Sequence, residues 1–255
     1  MNLKSLIKKK AESKPPRIVV HGIHGVGKSF FASNAPDPIF LITEDGLTNI
    51  VVDHFPLATS LDEVWQYMEL IMNEDHQYKT FVVDTIDWLE KLIFKQVCSD
   101  NSVDTPEDIG YGKAYVFAMK HWEKFLRGLD RIRDKGIAII LLAHNEIKTF
   151  NPPDNDPYDR YQIKLHRHAA TAIEEWSDAV LFANFRTVVT KKSKNDAKAK
   201  AVGSGERVLY SSNRPAWRAK SRYPIPAEIP LDFKELMSAI KGENNAITAE
   251  GEKAA

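Results

Sequence analysis

Eight consecutive residues, Gly22-Ile23-His24-Gly25-Val26-Gly27-Lys28-Ser29, carry the clearest chemistry in this chain. They match G-x-x-x-x-G-K-[ST], the phosphate-binding P-loop, at every fixed position. Glycines let the backbone bend until successive N–H groups point inward as an anion nest. A helix opening at Lys28 adds its positive dipole end. Lys28 supplies a mobile charge for the β- and γ-phosphates, and Ser29 a hydroxyl for Mg²⁺. The context fits: Arg17-Ile18-Val19-Val20 before the motif reads as a short buried strand, and Phe30-Phe31-Ala32 after it continues a helix. A bare Gly-rich turn would need neither the Lys-Ser pair nor those flanks. ATP with Mg²⁺ is the expected ligand, held by Gly22 through Phe30.

Three more side chains fall at strand ends. Asp84 closes the apolar run Thr80-Phe81-Val82-Val83, where a carboxylate can share the Mg²⁺ with Ser29; the plainer alternative is a helix N-cap. Thr85, not a second acid, follows it, so a base for water must come from elsewhere. Glu44 lies just beyond the strand Ile39-Phe40-Leu41-Ile42 and should project toward the γ-phosphate end of the sheet; it could instead be a cap or an exposed turn residue. His144 ends Ile139-Ile140-Leu141-Leu142-Ala143, where an imidazole can donate to phosphate and switch partner after hydrolysis; a strand-end histidine can also be satisfied by backbone. Lys28, Glu44, Asp84 and His144 form the expected catalytic set.

The elements that must position these groups alternate. Helical spacing predicts helices at 28–34, 61–72 behind an N-cap at Ser60, 87–97, 115–133, 166–176 and 231–240. Strands are expected at 17–20, 39–42, 80–84 and 137–143. Such alternation implies an α/β fold with a mostly parallel sheet, right-handed crossovers and ligand at the carboxyl ends of the strands. Residues 99–108 and 151–161, the latter with three prolines, read as loops. After Asp178 the strand-like runs 180–182, 187–189 and 208–210 predict an antiparallel extension, with the basic stretch from Lys191 to Glu206 as a loop between them. A basic segment at 1–16, with a short helix at 3–12, precedes the core at 17–241. Residues 242–255 are expected to be a disordered tail.

Bulk properties exclude several classes. The 255 residues allow one large domain with a real core. Lys plus Arg equals Asp plus Glu at 35 each, so any nucleic-acid surface must come from local clustering. A single cysteine, Cys98, rules out a disulfide framework or a cysteine-only zinc site. Neither a signal-peptide run nor a membrane-span length is seen, so a cytoplasmic protein without a membrane partner is expected.

Taken in order, GIHGVGKS, LITEDG, FVVDT and LLAHNEIK resemble the RecA-like core of phage single-strand-annealing ATPases, short relatives of RecA recombinases. Arg214 to Tyr223, with its A-K-x-R element, adds to the likeness, which covers roughly residues 15–240. The resemblance implies a catalytic role for Glu44 and a γ-phosphate-sensing role for His144. It implies that the segment after His144 is a DNA-binding loop, bringing Lys148, Phe150, Arg160, Tyr161 and Lys164 to single-stranded DNA, although Asp154, Asp156 and Asp159 would repel a backbone. A weaker second loop falls near Tyr111, Gly112 and Lys113. Lys220 and Arg222, with Arg218 nearby, would act in trans on a neighbouring copy's γ-phosphate; surface ion pairs are the alternative. The implied activity is an ATP-dependent, single-stranded-DNA-binding recombinase or annealing ATPase, assembled as a filament or ring and working beside a single-stranded-DNA-binding protein. A nucleotide-gated adaptor or loader, and a RecA-fold helicase or packaging motor, remain open. The Lys191–Lys200 run could track phosphates or be a solvated hairpin tip.

Overall fold

The computed structural model describes residues 14–154, 156–190 and 200–242. The expected helix at 3–12, nearly all of the Lys191–Lys200 run and the tail beyond Gly242 lie outside them. Strands are β1 (Arg17–Gly22), β2 (Pro38–Ile42), β3 (Asp53–His54), β4 (Thr80–Asp84), β5 (Ala138–Phe150), β6 (Tyr158–Ile163), β7 (Ala179–Thr190), β8 (Lys200–Tyr210), β9 (Lys220–Ser221) and β10 (Glu228–Pro230). Helices are α1 (Lys28–Ser33), α2 (Leu61–Asn73), α3 (Ile86–Asp100), α4 (Lys113–Asp134), α5 (Arg167–Trp176) and α6 (Phe233–Lys241), with a 3-10 turn at Pro106–Ile109.

The sheet order is β10-β8-β7-β1-β5-β4-β2-β3. The six strands from β7 to β3 run parallel. β8, β9 and β10 add antiparallel pairs at the far side, as the composition after Asp178 predicts. The parallel strands are apolar on both faces because both are covered. Odd-numbered residues of β1 and β4, such as Val19, Phe81 and Val83, pack with α2, α3, α4 and α5. Their even-numbered neighbours Ile18, Val20 and Val82 pack against Phe31 and Ala32 of α1 and Phe233 and Leu236 of α6. The α2 start is as expected: Ser60 Oγ accepts the Glu63 N–H, and Glu63 Oε2 accepts the Ser60 N–H, a capping box.

The order has one consequence for the site. β5 lies between β1, which leads into the P-loop, and β4, which ends in Asp84. The register aligns Gly22 with His144 and Asp84 with Leu142. The P-loop, His144, Asp84 and the residues after β2 therefore meet at one carboxyl edge.

Several boundaries differ from the sequence reading. The strand expected to stop at Ala143 continues to Phe150 and pairs with β6 through six antiparallel residue pairs, Asn145↔Ile163 to Phe150↔Tyr158. The expected DNA-binding loop is thus a hairpin, and only its turn holds Pro152, Pro153 and Pro157. Prolines inside 151–161 drew the loop reading outward; Tyr158-Asp159-Arg160-Tyr161 is free of them and pairs. Residues 180–182 and 187–189 belong to one strand, β7, bulged between Phe185 and Thr187. β8 takes up Lys200 to Glu206, which had read as loop.

Gly22 is required by close approach. A Cβ there would lie 2.3 Å from the Ala183 carbonyl oxygen on β7, so β1 and β7 would have to part. Gly22→Ala should destabilise the domain by about 2 kcal/mol or more, a drop of roughly 4–8 °C in Tm. Gly46→Ala, whose Cβ would meet nothing within 4 Å, is the control; its Tm should hold, and equal melting of the two variants would contradict the packing argument.

Candidate functional site

The P-loop leaves β1 at Gly22 and turns through Gly25 (φ 73°) and Gly27 (φ 101°), both left-handed. At Gly27 a side chain would also meet the Arg207 guanidinium at 3.0 Å. Lys28 is buried, and its Nζ donates to the carbonyls of Gly22 and Ile23 at 3.1 Å each. The ammonium thus lies across the mouth of the loop. Burial lowers its pKa, and Asp84, Asp87 and Glu44 partly offset that.

Ser29 Oγ donates to Asp84 Oδ2 at 2.5 Å. Burial raises the Asp84 carboxyl, against the pull of Ser29 and Lys28. Thr85 takes the α3 N-cap position, so Asp84 is not the helix cap; the Asp84–Thr85 peptide bond is cis. These groups open onto a cavity of about 340 Å³, walled also by Phe30, Glu44, Gly46, Ile50 and His144. The donor set fits a triphosphate with a divalent ion. Backbone N–H groups and Lys28 would face the phosphates, while a hydroxyl and a carboxylate already in contact would hold Mg²⁺. Bound there, Mg²⁺ would neutralise charge on the phosphate oxygens. Among the described residues no cluster of three or more His, Cys, Asp or Glu side chains forms a metal site, so the ion would depend on this pair and the substrate.

Glu44 is carried to the cavity by a tie between strand ends. Thr43 Oγ1 donates to the Thr85 carbonyl at 2.6 Å and accepts the Thr85 N–H at 3.0 Å. That pins the β2 tip to the β4 tip and sets Glu44 beside Asp84. Burial raises the Glu44 carboxyl; His144 opposes the rise, and Asp84 and Asp87 add to it.

His144 is the centre of a chain of side chains. Asp87 Oδ1 accepts the His144 backbone N–H at 2.9 Å, and Oδ2 faces Nδ1 at 3.0 Å. Burial alone would raise the Asp87 carboxyl, but the two hydrogen bonds from His144 outweigh it and hold it low. An ionised carboxylate only accepts, so Nδ1 carries the proton. Nε2 then faces Glu44 Oε1 at 3.7 Å. The His24 ring of the P-loop stacks on His144 with centroids 3.9 Å apart. Burial and the neighbouring His144 and Lys28 lower the His24 imidazole. Asp87 was missed as a site residue. Its signal was its place three residues after Asp84, in the first turn of a helix that starts at the same strand end.

The other expected residues are spread along the molecule. Lys164 is exposed and close enough to lower the His24 pKa. Lys148 pairs with Glu146 at 2.6 Å. Arg160 lies 3.9 Å over the Phe150 ring. Tyr161 is half-buried and stacks on Phe182 at 5.1 Å, so one of its faces is committed to the fold. Tyr111 stands fully exposed between Gly110 and Gly112, all three with positive φ. Lys220 pairs with Val180 in the backbone register, and Arg222 donates to Asp178 Oδ1 at 3.2 Å. Asp178 also takes Arg17 and Arg133, each at 3.0 Å. Lys220 and Arg222 thus sit toward the amino ends of β1 and β7, opposite the P-loop, and do not reach the phosphates of their own chain.

A family model described as AAA domain matches residues 14–223. The chain belongs to the AAA domain family. As a P-loop domain of this kind it is an AAA-type ATPase domain, and nucleotide binding follows from the family. The match spans β1 through β9 and so includes every residue of the phosphate cavity. This AAA domain is also similar to the SPbeta prophage-derived uncharacterized protein YorG of Bacillus subtilis (strain 168), 25% identical over 146 residues. The alignment covers 55% of this chain and 43% of that protein, so the chain spans less than half the length of that relative. No described helix is long and apolar enough to cross a membrane.

One turn beyond Asp87, Glu90 accepts the His166 N–H at the start of α5, at 3.1 and 3.0 Å from its two oxygens. Burial raises its carboxyl to about 7, with His166 and Lys148 opposing and Asp87 and Glu146 adding. Its folded pKa lies above its unfolded one. Its share of stability is full below the ordinary glutamate range and is lost as pH rises through about 7. Glu90→Gln should therefore flatten the fall in unfolding free energy between about pH 5 and pH 8, by up to ~3 kcal/mol. Denaturant titrations at the two pH values check this; an unchanged difference would contradict it.

Proposed function

We propose that this AAA domain is an ATPase that grips single-stranded DNA in its ATP state and assembles with further copies of itself on the strand, to order it for annealing or exchange. The observation that carries the reading is the continuity of β5. Its inner half ends at the phosphate cavity in His144, and its outer half carries Lys148 and Phe150 opposite Arg160 and Tyr158 on β6. One strand thus joins an imidazole on the cavity wall to a hairpin face with an exposed Lys148, the half-buried Phe150 and Tyr158 rings and a mostly buried Arg160, groups of the kind that bind phosphates and stack bases.

In this reading Glu44 orients the attacking water, and Lys28 with the loop N–H groups steadies charge on the phosphates. His144 keeps its Nδ1–H on Asp87 and, as an imidazolium, donates its Nε2–H to Glu44 or to the terminal phosphate as the nucleotide changes. Phe30, 61% exposed beside the cavity, offers a ring to the base. Lys220 and Arg222 are remote from their own chain's phosphates; Arg222 is held by Asp178 and the Glu175 carbonyl, and in this reading Lys220 turns to a neighbouring copy or the strand. The likeness to a prophage-derived protein agrees with a phage association.

The test is ATP turnover measured with and without oligothymidylate over a range of protein concentration, with sedimentation of the same samples. Turnover per chain should rise with both the strand and the protein concentration. Turnover indifferent to the strand would remove the DNA part of the proposal, and indifference to concentration would remove the assembly part.

A further inference from the structure

A second cavity, of about 380 Å³, lies between the end of the β5–β6 hairpin, α5 and residues 213–220. It shares no residue with the phosphate cavity. Three cations line it, Arg160, Arg218 and Lys220, against one carboxylate, Glu174. Arg218 holds Glu174 at 2.8 Å, which leaves two positive charges unbalanced. Arg160 is only 9% exposed, and its Nε has no hydrogen-bond partner. Its guanidinium bonds the Tyr158 side chain and is drawn by Glu174, so Nε is the unmatched atom, while the Phe150 ring below it brings no formal charge. A buried guanidinium N–H left unmatched costs free energy that an anion would recover. Burial and Arg218 disfavour charged Arg160 more than Tyr158 and Glu174 favour it, and burial and Arg222 outweigh Glu174 and Asp178 at Lys220.

The cavity is wired to the P-loop. His21, fully buried, places its Nε2 2.8 Å from the Arg218 carbonyl. A carbonyl only accepts, so Nε2 donates. His21 immediately precedes Gly22. Arg218 also donates its backbone N–H to the Tyr161 carbonyl at 3.0 Å, and Tyr161 donates to Ala216 at 2.9 Å. Residues 216–218 therefore bind the hairpin on one side and the strand entering the P-loop on the other.

We propose that this cavity is a second anion site that takes a phosphate group of the bound DNA strand, and that the Arg218–His21 contact reports its occupancy to the P-loop. The proposal deepens the single-strand reading given above and rests on it for the source of the phosphate. The chemistry is that of a phosphate oxygen on guanidinium and ammonium groups, so free phosphate could satisfy the same atoms.

Two variants test it. Arg160→Gln removes the guanidinium whose Nε is unmatched. Asn213→Asp puts a negative charge on an exposed wall residue without disturbing a buried contact. Binding of fluorescein-labelled oligothymidylate is read by anisotropy in a slowly hydrolysed ATP analogue, across a salt series. Arg160→Gln should weaken binding about tenfold, with a log–log salt slope shallower by about 0.7. Asn213→Asp should weaken it severalfold, while analogue affinity stays within about twofold of wild type for both. Folded variants that keep wild-type affinity and slope overturn the cavity assignment and leave the DNA reading standing; if Arg160→Gln fails to fold, Asn213→Asp decides alone. If the wild type binds no oligothymidylate, the DNA reading falls and the melting of Lys28→Ala in millimolar inorganic phosphate decides the site. Stabilisation that disappears in Lys28→Ala/Asn213→Asp keeps the anion site with free phosphate as its source. Absence of stabilisation, or its persistence in the double variant, overturns the site.

Discussion

Lys28→Ala should lower affinity for MgATP about 100-fold or more and leave the fold intact. Among the described residues Lys28 is the one lysine or arginine on the wall of the 340 Å³ cavity, which it shares with Glu44, Asp45 and Asp84. Without it a triphosphate would enter a site whose nearby charges are carboxylates. Loss of a charge-assisted hydrogen bond alone is worth about 1.5–3 kcal/mol, or roughly ten- to 100-fold. Repulsion from the uncompensated carboxylates adds to that. The lysine hydrogen-bonds the Gly22 and Ile23 carbonyls and faces the Asp84, Asp87 and Glu44 carboxylates, so circular dichroism of the variant without nucleotide checks that it is folded. Calorimetric titration with a slowly hydrolysed analogue checks the affinity. Retained tight binding would mean that the triphosphate sits elsewhere.

Glu44→Gln should separate binding from chemistry. The amide keeps the size of the carboxylate but cannot take a proton from water. General-base contributions run to about 10²–10⁴-fold, so kcat should fall by at least roughly 100-fold, with analogue affinity changed by less than about threefold. Glutamine also removes one negative charge near the γ-phosphate, which makes slightly tighter binding the expected direction. The pH profile is a second readout. Burial, with Asp84 and Asp87, holds the Glu44 carboxyl above its usual range. A base must be deprotonated to act, so wild-type kcat should fall as pH drops through a value above the ordinary glutamate pKa. That acid limb should vanish from the residual activity of the variant. Wild-type turnover in Glu44→Gln would assign the base to another residue.

The parts of the site legible in the sequence were those written in local pattern. Gly22 to Ser29 is contiguous. Asp84 and His144 each follow a short apolar run directly and Glu44 follows one after Thr43, and strands buried on both faces announce their carboxyl ends by the first polar residues. What could not be read was pairing across the chain. Asp87 looks like one more acid in the first turn of α3; only the register that places Leu142 beside Asp84 brings His144 onto it. The Thr43–Thr85 tie, which aims Glu44, needs β2 and β4 as neighbours. The hairpin after His144 was hidden by its own turn, because Pro152, Pro153 and Pro157 outweigh the alternation of Tyr158 to Ile163 when neither strand is known to have a partner. Arg160 and Arg218 lie 58 positions apart, and only the backbone bonds between Tyr161, Ala216 and Arg218 place them on one cavity.

The central claim concerns where the cleavage machinery stands relative to the phosphates. A crystal structure with Mg²⁺ and a slowly hydrolysed ATP analogue tests it most directly. The account predicts β- and γ-phosphates within the Gly22–Ser29 loop and Lys28 Nζ moved from the Gly22 and Ile23 carbonyls onto them. It also predicts a water between the γ-phosphorus and Glu44, with His144 Nε2 in reach of the terminal oxygens and still held by Asp87. An analogue bound outside the loop, or a Glu44 carboxylate turned away from the γ-phosphate with no water on it, would contradict the account.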